Sequence, residues 1–152
     1  MILVPLTVAQ ARAIVAGDLA GIDAGRGWPH ADTYDALRPF ATFGSDEVPG
    51  PFLVVVDGEV IGDCGWYGPP GTDGEVEIGY GLAAPFRGRG LGTAMVKLLA
   101  AWARAQPGVR KVVALTDVDN VASRRALERA GFVVDAPGER TVRYAICLDD
   151  PT

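Results

Sequence analysis

The fold of this chain is decided by one stretch, GYGLAAPFRGRGLGT, which covers residues 79–93. A strand pattern leads into it, and a long amphipathic helix pattern follows it. Three glycines stand within five residues just before that helix: Gly88, Gly90 and Gly92. Glycine lets a backbone take a positive φ, and N–H groups at a helix start favour anions. The stretch therefore predicts either a phosphate cradle, flanked by Arg87 and Arg89, or a tight turn without a ligand.

Two common phosphate loops do not match this stretch. A dinucleotide-binding fingerprint needs G-x-G-x-x-G early in a βαβ unit. Here the third glycine, Gly92, falls one residue early, and the turn lies in the middle of the chain. The G-x-x-x-x-G-K-[ST] loop of P-loop nucleotide-binding proteins is absent. Both observations disfavour a nucleotide-binding domain.

A second motif follows about 30 residues later, NVASRRALERAGF from Asn120 to Phe132. The spacing Arg87-x-x-Gly90-x-Gly92 resembles the pyrophosphate loop of the GNAT acyl-CoA N-acetyltransferase superfamily, and the second motif resembles the family's next helix with its Gly-Phe. The strand EIGY, residues 77–80, is similar to that of the branch containing the ribosomal-protein N-terminal acetyltransferases. The resemblance covers residues 75–134, and the rest of the chain only by pattern.

The composition indicates one globular domain covering residues 1–152. Hydrophobic residues make up 49% and charged residues 22%, and the net charge is −5. This charge argues against non-specific nucleic-acid binding and suits either a cationic substrate or plain solubility. Two cysteines make no disulfide scaffold, and no histidine, cysteine or acidic cluster has metal-ligand spacing. Because no signal peptide or membrane span is visible, we expect a cytoplasmic protein.

Periodicity and turn residues predict eleven elements in the order βααβββαβαββ. Before the glycine stretch these are a strand at 1–7, helices at 8–19 and 33–43, a hairpin of strands 52–56 and 59–66 around Asp57-Gly58, and a strand at 75–83. After it come a helix at 90–106, a strand at 109–116, a helix at 120–130, and strands at 132–134 and 140–148. This predicts an α/β (α+β) fold with a mixed, mostly antiparallel twisted sheet of about seven strands and four helices. The resemblance implies that the fourth and fifth strands diverge to admit the pantetheine arm.

The buried faces of three helices follow from the same patterns. In the first helix, the small apolar face is Ala9, Ala13, Ala16 and Ala20. In the third, the apolar stripe is Leu91, Met95, Leu98, Leu99 and Trp102. In the last, the inward residues are Ala122, Ala126, Leu127 and Ala130, with an Arg124–Glu128 pair outward.

The predicted donor site holds acetyl-CoA as co-substrate. Backbone N–H groups bind its diphosphate, from Gly88, Arg89, Gly90, Leu91, Gly92 and Thr93. The resemblance implies that the backbone of Leu82, Ala83 and Ala84 pairs with the pantetheine amides. It also implies that Asn120 hydrogen-bonds near the pantetheine and that Ser123 lies near the thiol, although Asn120 also suits a helix N-cap. Within the strand, Gly79 and Gly81 indicate a bulge, a bend or a close ligand approach.

Three carboxylates are candidate bases for deprotonating the acceptor amine. Glu77 is the first, and Glu75 lies two residues earlier on the same strand face. Glu139, in a late turn, is the weakest. Many family members carry a tyrosine as general acid where this chain has Leu127, so the proton donor is left open between Ser123, Tyr144 and solvent.

The acceptor site is weakly marked. Trp28, His30 and Tyr34, with Asp32, are candidate substrate contacts in a loop and the following helix; the alternative is a surface loop with a packing tryptophan. Cys64 as a covalent nucleophile is disfavoured, since it has no histidine near it in sequence.

The sequence thus predicts a transfer from acetyl-CoA to a primary amine by direct attack in a ternary complex. The acceptor is a small molecule, a protein N-terminus or a lysine, and the protein is a monomer or homodimer without nucleic-acid or membrane partners. The competing prediction is a non-catalytic acyl-CoA-binding or regulatory module on the same fold.

Overall fold

The computed structural model describes residues 1–148, in which seven strands and four helices follow one another in the predicted order. They are β1 (Ile2–Pro5), α1 (Val8–Val15), α2 (Ala31–Phe43), β2 (Phe52–Val56), β3 (Glu59–Trp66), β4 (Glu75–Leu82), α3 (Leu91–Arg104), β5 (Lys111–Asp117), α4 (Val121–Arg129), β6 (Val133–Ala136) and β7 (Thr141–Cys147). A single 3₁₀ turn, Ala84–Phe86, connects β4 to the glycine stretch. Most predicted elements therefore end within a few residues of their observed limits.

The seven strands form one sheet in the order β1-β2-β3-β4-β5-β7-β6. The pairs β1–β2, β2–β3, β5–β7 and β6–β7 run antiparallel, whereas β4 and β5 run parallel. The parallel register extends from Glu75 opposite Lys111 to Ile78 opposite Ala114. The mixed, mostly antiparallel sheet is thus confirmed, and the divergence of β4 and β5 stays a prediction.

The contacts divide the chain into two compact units. The first contains Met1–Gly65 and Tyr80–Arg87. Here α1 packs on α2, and one hydrophobic core joins residues from both helices, the connecting loop and the sheet: Leu6, Ile14, Trp28, Leu37, Leu53, Val60 and Ala83.

The second unit contains Trp66–Gly79 and the described residues from Gly88 onward. In it α3 packs on α4 and on β5. Its largest fully buried side chains are Ile78, Met95, Leu99, Leu127 and Tyr144. Trp66 and Trp102 meet edge to face, with ring centroids 4.8 Å apart.

Local sequence signals set several element ends. Asp57 and Gly58 take φ values of 51° and 80°, the left-handed pair that a two-residue hairpin loop needs. Thr7 caps α1 in a reciprocal capping box with Gln10. After α4, the N–H of Phe132 bonds to the carbonyl of Leu127, which is the bond expected when a glycine terminates a helix.

The predicted buried faces of three helices are partly wrong. In α1, Ala11 and Ile14 are buried, and the predicted alanines at 9, 13, 16 and 20 are exposed or half-buried. In α3, Leu98 is 39% exposed, and Val96, Ala100 and Ala103 are buried instead. In α4, Ala122 is exposed, and Arg124 and Glu128 meet through the hydroxyl of Tyr144. Short helices have several possible apolar faces, and tertiary packing decides between them.

No helix within residues 1–148 is long and apolar enough to cross a membrane.

Candidate functional site

The glycine turn is open. Gly88 and Gly90 have φ values of 75° and 78°, and a Cβ added at either would meet no heavy atom within 4 Å. Residues 87–90 are exposed. Residues in the left-handed conformation change the direction of the neighbouring backbone N–H groups. Turns in which successive N–H groups point to the same side can bind anions. The backbone of the turn is thus exposed and is not covered by other parts of the described chain at Gly88 and Gly90.

The start of α3 directly follows the glycine turn. Its N-cap is Gly90, no side chain caps the helix, and its first turn contains no acidic residue. The first N–H groups of a helix lack partners within the helix, and the helix dipole places positive potential there. The N–H groups of Leu91, Gly92 and Thr93 therefore suit a phosphate.

At the end of β4, some of the backbone groups that were predicted to bind pantetheine already have hydrogen-bond partners within the protein. The N–H of Ala83 donates to the carbonyl of Ile61 at 2.8 Å, and the carbonyl of Leu82 accepts Nε–H of Arg87 at 3.0 Å. Leu82 and Ala83 are buried, whereas Ala84 is exposed. Arg87 is therefore bound to the strand end through Nε.

The two carboxylates of β4 have different environments. Glu75 pairs with Arg143, and its Oε1 lies 3.9 Å from Nζ of Lys111. Glu77 is half-buried, and within residues 1–148 its carboxylate has no ion pair and no side-chain hydrogen bond. A base must be free to accept a proton, so the structure favours Glu77 over Glu75. Glu139 is exposed in the turn between β6 and β7.

The Glu75 cluster is structural. Asp135 accepts hydrogen bonds from Nζ of Lys111 at 3.1 Å and from Nε of Arg143 at 2.8 Å, so two cations bridge two carboxylates. The Lys111 hydrogen bond, followed by that from Arg143, holds the pKa of Asp135 below its usual 3.8. A lowered pKa stabilises the folded state above pH 3.8, and this stabilisation is lost as the pH falls through the folded-state pKa.

We therefore expect Asp135→Asn to lower the melting temperature at pH 7 slightly, because the cluster is partly exposed and exposed pairs contribute little. The difference from the wild type should shrink as the pH falls below 3.8. Thermal unfolding at several pH values measures it, with the exposed Glu59→Gln as a control of equal charge change. An equal difference at every pH would contradict the ion-pair interpretation.

The side chain of Tyr67 explains why position 79 is a glycine. A Cβ added at Gly79 would collide with Oη of Tyr67, because the phenol ring lies directly over the strand. The Tyr67 N–H also donates to the carbonyl of Glu77 at 2.9 Å. Partial burial, and then the negative charge of Glu77, raise the pKa of Tyr67. The close approach predicted at Gly79 is therefore satisfied by a side chain, which the sequence did not reveal.

At the start of α4, Asn120 is an N-cap: its Oδ1 accepts the N–H of Ser123 at 3.1 Å. Leu127, in place of the family's tyrosine, is fully buried. Tyr144 is also fully buried, and its hydroxyl donates to Glu128 at 2.9 Å and accepts from Arg124 at 3.0 Å. Both hydrogen bonds of the Tyr144 hydroxyl are thus made within the protein, to Arg124 and Glu128.

Two of the predicted acceptor residues, Trp28 and His30, belong to a polar network around the buried Asp63. Trp28 is 4% exposed, and its indole N–H donates to Oδ2 of Asp63 at 3.0 Å. Thr33 donates to the same oxygen at 2.7 Å, and Nδ1 of His30 lies 2.6 Å from the Thr33 hydroxyl. Burial raises the pKa of Asp63, and the bonds from Thr33 and Trp28 oppose this. Tyr34 is half-buried and is not part of this network.

Sequence reasoning missed Asp63 and Thr33, although an aspartate inside a hydrophobic strand was a usable signal. Trp28 packs in the core, as the alternative prediction held. The neighbouring Cys64 is buried, and burial and then Asp63 raise the pKa of its thiol, so it is a poor nucleophile. Within residues 1–148, no three histidine, cysteine or acidic side chains are placed to hold a metal ion.

The chain is similar to known acetyltransferase sequences. The family model described as acetyltransferase (GNAT) domain matches residues 1–133. The uncharacterized N-acetyltransferase YjdG of Bacillus subtilis (strain 168) is 27% identical over 114 residues, covering 71% of this chain and 68% of that protein. Mycothiol acetyltransferase of Corynebacterium glutamicum (strain R) is 35% identical over 82 residues, which are 54% of this chain and 28% of that protein.

Solved structures share the fold. Aminoglycoside acetyltransferase AAC(6')-Ib, in complex with coenzyme A, superposes with a TM-score of 0.66 and 23% identity, over 95% of this chain and 93% of that one. A chimera of the Vibrio cholerae spermidine N-acetyltransferase SpeG gives a TM-score of 0.69 and 16% identity, over 97% and 96% of the two chains. At these identities the likeness concerns the fold alone.

Proposed function

Because the chain belongs to the GNAT acetyltransferase family, we propose that it moves an acetyl group from acetyl-CoA to a primary amine by direct attack in a ternary complex. The observation that carries the proposal is the open glycine turn leading into a helix without a side-chain cap. Since the family model runs through both compact units, we treat residues 1–152 as one acetyltransferase domain.

The donor is held mainly by backbone. The N–H groups of residues 88–93 bind its diphosphate, which needs close approach and positive potential. Ala84, exposed at the end of the strand, offers backbone to the pantetheine, whereas part of the Leu82 and Ala83 backbone already has protein partners. The acetyl thioester supplies the activated acyl group.

Glu77 is the base in this proposal. A bound amine with a pKa near ~10 is mostly protonated at neutral pH, so it needs a proton acceptor before it can attack. Glu77 takes that proton directly or through water, and it is available because no lysine or arginine of residues 1–148 pairs with it.

The leaving thiolate needs little help. A thiol has a pKa of about 8.5, so its thiolate departs readily near neutral pH. Ser123 hydrogen-bonds the sulfur in this proposal, and solvent supplies the proton, because the hydroxyl of Tyr144 is already bonded on both sides.

The acceptor is proposed as a primary amine, on a small molecule, a protein N-terminus or a lysine. Two proteins of similar fold are named for acetyl transfer to different kinds of amine. One similar fold is an aminoglycoside acetyltransferase and another is a spermidine N-acetyltransferase chimera. The EIGY strand at 77–80 keeps the N-terminal acetyltransferase branch, and hence a protein N-terminus, among the candidates.

The first test is thermal unfolding with acetyl-CoA, with ATP and NAD as controls. At about 100 times Kd, a ligand adds roughly 2.7 kcal/mol to the stability of the folded state, which raises the melting temperature by several degrees. A rise with acetyl-CoA alone is expected. No rise, with the protein shown to be folded, would overturn the proposed donor site.

A binding-only module is the second candidate function, favoured by the buried leucine at position 127 and by the engaged hydroxyl of Tyr144. Release of free thiol from acetyl-CoA with a panel of amines separates the two. Thiol release above the background rate excludes the binding-only function.

A further inference from the structure

The phenol ring of Tyr67 lies over β4 and is open to solvent on its other side. A Cβ added at Gly79 would lie 2.9 Å from Cζ and 3.1 Å from Cε2 of this ring, so the ring contacts the strand closely. The residue is nonetheless 73% exposed, which leaves the outer face of the ring in contact with water. A tyrosine that is held on a strand in this way presents an aromatic face to any ligand that approaches from the solvent.

Tyr67 and Glu77 lie opposite each other on one side of the sheet. Tyr67 directly follows β3, and a connection as short as residues 67–74 joins neighbouring strands antiparallel. The N–H of Tyr67 donates to the carbonyl of Glu77 at 2.9 Å, and opposite residues in such a pair have Cβ atoms about 4.5–5.5 Å apart. Partial burial, and after it the charge of Glu77, raise the pKa of Tyr67, which agrees with a carboxylate close to the phenol.

The carboxylate of Glu77 has no positive charge beside it within residues 1–148. Lys111 and Arg143 both pair with Glu75, which is two residues away on the same strand. On β5 the residue opposite Glu77 is Val113, which is apolar and buried. Withdrawing part of a carboxylate from water without a cation costs free energy. The position therefore favours a cation that the described chain does not supply.

We propose that Tyr67 and Glu77 together bind the ammonium group of the acceptor, with the N–H groups donating to the carboxylate and the cation lying against the outer face of the phenol ring. A cation over the face of a tyrosine is attracted by the negative potential of the ring. The inference rests on the proposed function and adds to it a binding residue, Tyr67, and a substrate class, protonated aliphatic amines. Tyr67, Glu77 and Gly79 all belong to the second compact unit.

A purely structural role of Tyr67 predicts different results. An aromatic side chain over a strand glycine also shields the backbone. That role uses only the inner face of the ring and does not depend on Glu77. The proposed role uses the outer face and requires the carboxylate, so the two are separated by variants at position 77 and by a cationic probe.

Binding is tested with n-butylammonium chloride. In protein with ¹³C-labelled tyrosine, this probe should shift the ring resonances of Tyr67, which Tyr67→Leu identifies among the four tyrosines. Sodium chloride at the same ionic strength, and the uncharged n-butanol, should not. Glu77→Gln should remove the shift, whereas Glu59→Gln, an exposed carboxylate changed in the same way, should keep it. No shift of Tyr67 in the wild type, either alone or with CoA present, would overturn the proposal.

Gly79→Ala moves the ring without removing it. Gly79 has no positive φ, so β4 accepts an alanine, and the added methyl displaces the far end of the Tyr67 side chain. The response to n-butylammonium should be lost, although Tyr67 and Glu77 are both present. Gly71→Ala is the matched control in the same connection, since a Cβ there meets only Asp73, at an ordinary 3.5 Å. A full response in Gly79→Ala would contradict the proposed position of the cation.

Turnover of n-butylamine separates binding from chemistry. Tyr67→Leu should raise KM about 2- to 5-fold with little change in kcat, the size expected for an exposed cation–π contact. Tyr67→Phe keeps the ring and should keep most of the affinity. A wild-type KM in Tyr67→Leu would leave Tyr67 with a structural role only, and an equal loss in Tyr67→Phe would assign the contact to the hydroxyl; either result overturns the proposal. If n-butylamine is not acetylated, the resonance shift decides alone.

The outcomes also separate this inference from the proposed function. If acetyl-CoA stabilises the protein and amines are acetylated while Tyr67 does not respond to n-butylammonium, only the ammonium site is wrong. If acetyl-CoA does not stabilise the wild type, the proposed function is overturned, whatever the response of Tyr67.

Discussion

Replacing Glu77 with glutamine is expected to lower kcat/KM for the acceptor amine by about 10²–10⁴-fold. Glutamine keeps the size of the side chain but cannot accept a proton. The stabilisation by acetyl-CoA should remain, because the proposed donor site consists of the glycine turn and the start of α3 and does not include Glu77. Steady-state kinetics of thiol release, with thermal unfolding in the same buffer, measures both quantities.

Glu75→Gln is the matched comparison. It makes the same chemical change two residues away, on a carboxylate that Arg143 and Lys111 already neutralise. We expect most of the turnover to survive and the melting temperature to fall slightly. The reverse result, a large kinetic loss at Glu75 and none at Glu77, would transfer the base role to Glu75 and would mean that the ion pairs open during turnover.

Much of the fold could be predicted because its signals are local. Asp57-Gly58 specifies a hairpin through two left-handed residues, and Thr7 and Asn120 start helices through bonds that reach three residues ahead. Such signals depend on a few neighbouring residues, so they can be read from the sequence. The buried face of α1 could not be predicted from the sequence, because several faces of that short helix are apolar. Only its packing against α2 selects Ala11 and Ile14.

The candidate site also has one part that the sequence predicted and another that only the structure shows. The glycine turn is a contiguous motif, and the structure shows its left-handed backbone and open surroundings. The network of His30, Thr33 and Asp63 joins positions 30 residues apart, and no periodicity reports such a contact. Gly79 is a similar case, because the reason for the glycine is the ring of Tyr67, brought over it by the turn between β3 and β4.

Gly90→Val is expected to remove at least about half of the stabilisation that acetyl-CoA gives at about 100 times the wild-type Kd. Gly90 has a φ of 78°, a conformation that a β-branched residue rarely adopts, so valine must shift the turn and with it the N–H groups at the start of α3. Affinity should fall at least about tenfold, which corresponds to 1.4 kcal/mol. The free energy of unfolding without ligand should also fall, by roughly 1–2 kcal/mol for the left-handed strain.

Gly21→Val provides a closely matched control. Gly21 also has a φ of 78°, and a Cβ added there likewise meets no heavy atom within 4 Å. The same backbone strain therefore arises at a turn with no proposed role in donor binding. Both variants should lose similar stability without ligand, and only Gly90→Val should lose the response to acetyl-CoA. If both variants kept that response, the N–H groups after Gly90 would not be the diphosphate ligands, and the conformation of the turn would serve only to connect β4 to α3.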